Sequence, residues 1–347
     1  MRVLITGHQG YIGSVLAPKL AAAGHDCVGL DTGYFAACKV GEIEEVPTIS
    51  RDMRHLEPAD LEGFDAVVHL AGLSNDPLGS LDPALTNAIN LEASTRLAQL
   101  AVGAGVTRFV FASSCSLYGA SGGVAVDETA PLAPLTPYAE AKAMFEKELG
   151  TMATDSFAPV ILRNATVHGW SPRLRGDLVV HNLLASALST ARVLIKSDGT
   201  PWRPLVHVAD VAAAFQAALE APPEVVRGSV VNVGSNAENY QVSDIAAVVA
   251  SVVPGSRVEY APDGEPDTRN YRVDFSLIGR VLTDWKPRWT LESSVRDLYD
   301  RFLLHGITLD LIEGPTCSRL GRITSLLDST ELDPELHWAG SQPGVQT

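Results

Sequence analysis

The feature that most limits what this chain can become is a repeated alternation. Apolar runs of four to six residues are each followed by a helical pattern. Candidate strands are Arg2–Thr6, Cys27–Asp31, Ala66–Ala71, Arg108–Ser114, Val160–Arg163 and Val230–Val233. Candidate helices between them are Tyr11–Ala23, Pro83–Ala104, Pro137–Thr151 and Val208–Ala221. Strands separated by helices assemble into a parallel sheet covered on both faces. Strands buried on both sides read as nearly unbroken hydrophobic runs, as Phe109-Val110-Phe111-Ala112 does. The expectation is an α/β fold with a doubly wound parallel sheet. Pro18 falls inside the first helical pattern, where it should kink the axis.

Two regions break the alternation with Pro, Trp, Arg and Asp. They predict a smaller α+β lobe, built from insertions in the C-terminal half, over residues 171–204 and 236–310. The sheet domain then comprises 1–170 and 205–235, and residues 311–347 form a polar tail with no assignable role. The connection Ala120–Pro137 reads as a long loop of the kind that often carries function.

Composition narrows the function. At ~150 residues per domain, 347 residues make about two. With 46% hydrophobic and 19% charged residues the chain buries a large core and is not mainly disordered. Lys plus Arg (26) minus Asp plus Glu (41) gives −15, which argues against nucleic acid as the main partner. No run reaches the ~20 apolar residues of a membrane span, and Leu178 to Ile195 is interrupted by His181, Asn182 and Arg192. The N-terminal apolar run is too short for a signal peptide. Cys27, Cys38, Cys115 and Cys317 form no CxxC pair, so neither a metal site nor a disulfide framework is expected. A soluble cytoplasmic protein without membrane partners is the resulting expectation.

Gly7-His8-Gln9-Gly10-Tyr11-Ile12-Gly13 joins the first strand to the first helix. Glycines at 7, 10 and 13 allow a tight turn, a bare backbone against a pyrophosphate, and close packing of helix on strand. The helix N-terminus offers N–H donors to that anion. Alone, such a loop is equally a structural turn. The second strand, however, ends in Asp31, 18 residues after Gly13 (31 − 13), close to the ~20 expected of an acid that grips a ribose. Its carboxylate would repel a 2′-phosphate, so NAD is favoured over NADP.

Tyr138-Ala139-Glu140-Ala141-Lys142 opens a helix after Thr136-Pro137, and the i, i+4 spacing puts Tyr138 and Lys142 on one face. A nearby ammonium should lower the phenol pKa from its ordinary ~10 toward that of a usable base. Such a pair alone is weak. It gains meaning from Ser113-Ser114-Cys115-Ser116-Leu117-Tyr118-Gly119 at the end of the fourth strand. With His69-Leu70-Ala71-Gly72, Asp52-Met53, Leu162-Arg163-Asn164-Ala165-Thr166-Val167-His168-Gly169 and Trp202-Arg203-Pro204-Leu205-Val206-His207-Val208, the chain resembles the extended short-chain dehydrogenase/reductase family over roughly residues 1 to 304. That family comprises the NAD-dependent sugar-nucleotide epimerases and dehydratases of carbohydrate biosynthesis, with a Rossmann sheet.

The resemblance implies roles. Ser114, Tyr138 and Lys142 would be catalytic. Gly7, Gly10, Tyr11, Ile12, Gly13, Asp31, Asp52, Met53, Leu70, Ala71, Gly72, Asn90, Ser113, Ala165 and His168 would bind cofactor along with Tyr138 and Lys142. Ser74, Asn75, Ser114, Ser116, Asn164, Arg203 and Arg269 would meet a nucleotide-diphosphate sugar, the two arginines clamping its phosphates. His69 and His207 are read as packing residues. A homodimer through the helices near 83–104 and 137–151 is also implied.

Family subclasses divide after the catalytic serine. Dehydratases of the 4,6 type carry Asp-Glu there, and 3,5-epimerising members a cysteine at the position of Ser116. This chain has Cys115-Ser116, and strand alternation would turn Cys115 away from Ser114 and Ser116. The expected reaction is therefore epimerisation at C4 through a transient 4-keto sugar. The alternatives are a dehydratase, a 4-keto reductase, an epimerase acting at another carbon with Cys115 or His181 as proton carrier, and an NAD-sensing regulator.

Overall fold

Seven short strands lie side by side in the computed structural model, which describes residues 1–262 and 270–340. They are β1 (Arg2–Thr6), β2 (Asp26–Asp31), β3 (Thr48–Ser50), β4 (Ala66–His69), β5 (Arg108–Ser114), β6 (Ala158–Asn164) and β7 (Ser229–Val233). Their order across the sheet is β7-β6-β5-β4-β1-β2-β3, and every pairing is parallel. The chain runs outward through β2 and β3, then restarts at β4 on the other side of β1. Open parallel sheets bind ligands at such a reversal, beyond the carboxyl ends of the strands.

Side chains alternate across the sheet. Ile5, Val68 and Val110 face α1 (Gly13–Ala22) and, further along the chain, the helix Val208–Glu220, with Leu16, Leu20 and Phe215 packed on them. Leu4, Val67, Phe109 and Phe111 point the other way, onto Leu97 and Ala101 and onto Phe145 and Leu149 of α2 (Pro137–Thr151). Each such residue contributes about 1.5–3 kcal/mol by leaving water. Pro18 does lie inside α1, and nothing in its surroundings explains it. A separate core joins Leu174, Leu184, Val193, Ile245, Val295 and Phe302.

Three elements depart from the expectations. The segment Pro83–Ala104 is an α-helix Pro83–Asn87, a π-helical turn Ala88–Glu92 and an α-helix Ala93–Gly103. The supposed loop after Tyr118 contains a strand, Ala120–Val126, paired in parallel with Asn270–Val273. The polar tail is folded as far as it is described, with a further helix, Arg319–Asp328, whose Ile323 and Leu326 pack with Tyr34, Leu73 and Ile89. No described helix is long and apolar enough to cross a membrane.

Candidate active site

The site grows from the carboxyl edge of the sheet. Gly7 takes φ +74°, and a Cβ there would lie 2.6 Å from the Ala71 nitrogen. A Cβ on Gly13 would lie 2.5 Å from the Gly7 carbonyl oxygen, so the loop, the helix start and the strand after β4 close up only with glycine. The resulting cleft is about 1000 Å³ and is lined by Gly7, Gly10, Tyr11, Ile12, Gly13, Asp31, Asp52, Met53, Leu70, Ala71 and Gly72. Asp31 is fixed at its rim by the Gln9 amide (3.0 Å) and the Gly33 amide (2.9 Å), one on each oxygen. The lone pairs that remain suit a ribose diol. Asp52 is more occupied: it caps the Arg54 amide at 2.8 Å and is gripped by the Arg54 guanidinium, so it contributes wall rather than a free carboxylate. Asp52, His55 and His337 bring three ligand-type atoms within 4.8 Å of one another, a grouping the sequence did not flag, although His337 also engages Asp333.

Two expected cofactor contacts lie elsewhere. Asn90, presented by the π-helical turn, accepts from the Leu73 amide (2.8 Å) and donates to the Leu73 carbonyl (3.0 Å), bracing the loop after β4 from behind. His168 is buried with its Nδ1 against the Ser294 hydroxyl at 2.9 Å and does not reach the cleft.

A second cleft of about 1350 Å³ meets the first at Tyr11, Leu70, Gly72, Ser74 and Arg175. Its walls carry Ser74, Asn75, Ser113, Ser114, Ser116, Tyr138, Lys142, Asn164, Ala165 and Arg203. Arg269 lies outside the described residues. Pro137 and the Thr136 cap start α2, so Tyr138 sits in its first turn with Lys142 one turn on. Tyr138 shares the cleft wall with Ser114, and the Ser114 hydroxyl lies 2.8 Å from that of Ser116. The proximity of the two serines has a different cause from strand alternation. The strand ends at Ser114, and residues 115–118 form a 3₁₀ turn whose Ser116 amide donates to Ser114 Oγ at 3.1 Å.

Lys142 is buried beneath the tyrosine, its ammonium donating to the Ala112 carbonyl at 2.6 Å and lying 5.4 Å from the Tyr138 ring. Burial pulls its pKa down to about 8, against the Glu146 carboxylate, which raises it. The Tyr138 phenol is pushed above its usual range, opposite to the sequence expectation, because desolvation outweighs the lowering effect of the Arg175 charge. Additional positive charge in the adjoining cleft would be needed to bring it down.

The other acid–base candidates are tied up. Cys115 is fully buried, donates to the Arg163 carbonyl (3.2 Å), and has its thiol pushed up by desolvation. His181 is buried; Nε2 accepts from the Gly169 amide at 3.2 Å, which leaves Nδ1 to donate to the Arg175 carbonyl at 2.7 Å. Desolvation lowers its pKa to about 4. His69 and His207 serve packing, with His207 stacked on Trp289 at 4.1 Å. Two carboxylates line the second cleft among the described residues, Asp76 and Asp177. Asp177 receives Arg175 Nε (3.0 Å) and Asn75 Nδ2 (2.7 Å), and Arg175 holds its carboxyl well below the usual range despite burial. Asp76 accepts from the Thr136 hydroxyl at 2.6 Å.

Arg175, Asp177, Tyr271 and Arg319 are cleft residues that sequence reasoning missed. Arg175 lies within the predicted smaller lobe, where no role was assigned to it, and Arg319 sits in the supposed tail.

A glycine-cradled cleft continuous with a Ser-Tyr-Lys cleft defines an NAD-dependent enzyme of the extended short-chain dehydrogenase/reductase type. The sequence model of the NAD dependent epimerase/dehydratase family matches residues 3–234, and the chain belongs to that family. It is 29% identical over 317 residues to the UDP-glucose 4-epimerase of Mycolicibacterium smegmatis, covering 87% of this chain and 98% of that protein. The NAD-dependent NDP-hexosamine 5,6-dehydratase TunA, involved in tunicamycin biosynthesis, superposes with TM-score 0.78 at 26% identity, over 89% of this chain and 99% of that one. The Thermus thermophilus UDP-glucose 4-epimerase, solved with NAD, gives 0.73 at 27% identity, over 87% and 99%.

Proposed function

We propose that the enzyme epimerises a nucleotide-diphosphate hexose at C4 and that Ser114, Tyr138 and Lys142 perform the proton chemistry. The observation that carries this reading is the convergence of Ser114 and Tyr138 on one cleft with Lys142 buried beneath the tyrosine ring, where Cys115 and His181 are unavailable and Asp177 is locked to Arg175. NAD, when bound, supplies a reversible two-electron acceptor at the sugar carbon. Tyr138 takes up the proton of the C4 hydroxyl as the carbonyl forms and returns it afterwards. Ser114 holds the same oxygen throughout, and Ser116, linked to it, keeps that hydroxyl oriented. Lys142 stabilises negative charge on Tyr138 through its position behind the ring. Arg203 grips the diphosphate, with Asn164 beside the sugar and residues 171–204 and 236–310 as the wall of the nucleotide site. The cleft runs on into the cofactor cleft and opens to solvent, which leaves room for a ketose to turn between its two faces.

Relatives named for UDP-glucose make UDP-hexoses the first substrates to test. NMR of UDP-glucose or UDP-galactose with the enzyme and no added reductant should show interconversion; failure across UDP-, GDP-, CDP- and dTDP-hexoses would remove the epimerase reading. Dehydration is the second reading, favoured by Asp76 on the cleft wall and by the likeness to TunA. We also infer a homodimer through the helices at 83–103 and 137–151, supported by Val102 (45% exposed) and Met144 (54%) on their outer faces. Light scattering at the mass of one 36.8 kDa chain would refute it.

A further inference from the structure

The C-terminal segment, beyond the region matched by the family, reaches back to the cofactor cleft. The loop Arg173–Leu178 receives it closely. Gly176 donates to the Cys317 carbonyl at 3.0 Å, and a Cβ on Gly176 would lie 1.8 Å from the Ile312 carbonyl oxygen. Further on, Arg322 donates to the Tyr34 carbonyl (3.2 Å), Trp338 to the Thr32 carbonyl (2.7 Å), and Arg54 to the Glu335 carbonyl (2.7 Å). The segment is therefore clasped to the chain that follows Asp31 and to the turn that follows Asp52, the two acids at the nucleoside end of the cleft.

Arg319 is the residue this packing delivers. It is 2% exposed and lines the cofactor cleft together with Gly10, Asp31 and Arg175. Its guanidinium lies over the Phe35 ring at 4.6 Å, and one terminal nitrogen, Nη2, donates to the Arg173 carbonyl at 2.9 Å. The other, Nη1, is buried with no hydrogen-bond partner among the described residues. A buried guanidinium nitrogen left unpaired is costly, and here a second guanidinium, Arg175, lines the same cleft. Burial first, and Arg175 second, pull the Arg319 pKa down to about 10. Forked guanidiniums suit phosphate oxygens, and a dianionic group between them would relieve both burdens.

We propose that residues 315–338 form a built-in seal on the NAD site and that Arg319 Nη1 donates to the cofactor diphosphate, so that NAD is retained through turnover rather than exchanged. The inference rests on NAD as the cofactor, and its test separates the two. Cofactor-stripped wild type, Arg319→Met and Arg319→Lys are titrated with NAD and with adenosine by calorimetry, and release of bound NAD is followed by chase with excess unlabelled NAD. Methionine keeps the apolar contact with Phe35; lysine keeps a charge without the fork.

Arg319→Met should weaken NAD binding by about tenfold or more and speed its release similarly, with adenosine binding unchanged. Arg319→Lys should fall between. Without cofactor the methionine variant should melt no lower than wild type, because an unpaired buried charge is gone. Equal losses for NAD and adenosine, or wild-type NAD affinity and release in both variants, would overturn the proposal. If Arg319→Met does not fold, wild-type NAD binding by Arg319→Lys would do so. Wild type that binds no NAD would instead overturn the cofactor assignment itself.

Discussion

Replacing Lys142 by methionine should make the protein more stable and far less active. Burial lowers the lysine pKa from 10.5 to about 8. A lysine whose folded pKa lies below its unfolded value costs stability while charged. That cost is fully present below about pH 8 and fades as pH climbs toward 10.5, because the unfolded chain then binds the extra proton. The gap of 2.5 pH units corresponds to about 3 kcal/mol. Losing the 2.6 Å hydrogen bond to the Ala112 carbonyl gives back about 1 kcal/mol, so the net gain at pH 7 should be about 2 kcal/mol. The same linkage says that wild type gains about 1.4 kcal/mol on the variant between pH 7 and pH 9. Urea denaturation of the cofactor-stripped proteins at both pH values measures this, and turnover should fall by about 10²-fold or more. A variant less stable than wild type by the same amount at pH 7 and pH 9 would refute the reasoning, since the ammonium would then be compensated where it lies.

Tyr138→Phe removes only the hydroxyl from the cleft wall; turnover should drop by at least about 10²-fold while calorimetry shows NAD still bound. Near wild-type activity would end the assignment of Tyr138 as the base. Asp31→Ala frees the Gln9 and Gly33 amides and removes the charge opposed to a 2′-phosphate, so NAD affinity should fall and its advantage over NADP narrow. Tighter binding of NADP than NAD by wild type would contradict that electrostatic argument.

What the sequence made legible was local. β1 and β5 are the apolar runs as read, since parallel strands buried on both faces leave an unbroken signal. β3, three residues with none buried, leaves no such signal. The π-helical turn at Ala88–Glu92 keeps a helical pattern in sequence, so the break that delivers Asn90 to Leu73 was invisible. The glycine loop, Asp31 and the Tyr138–Lys142 pair were readable because each depends on neighbours within one turn or one strand–helix unit. Arg175, Asp177 and Arg319 were not, because only the fold brings Asn75 to Asp177 and residue 319 to the glycine loop. The direction of the Tyr138 shift was misread for a related reason. The ammonium four residues away is a sequence fact, whereas desolvation by the cleft walls is a tertiary one.

The route taken by the C4 hydrogen separates the possible reactions most directly. In a C4 epimerase the hydrogen that leaves the carbon is the one that returns, so it never exchanges with water. A dehydratase, or an epimerase at C3 or C5, removes a carbon-bound proton beside a ketone and admits solvent hydrogen. Turnover of a UDP-hexose in D₂O, read by mass spectrometry, should give an epimerised product with no deuterium on carbon. A one-unit gain would contradict the C4 reading and turn attention to Asp76, a carboxylate on the wall of the second cleft. A product lighter by one water would establish dehydration in its place.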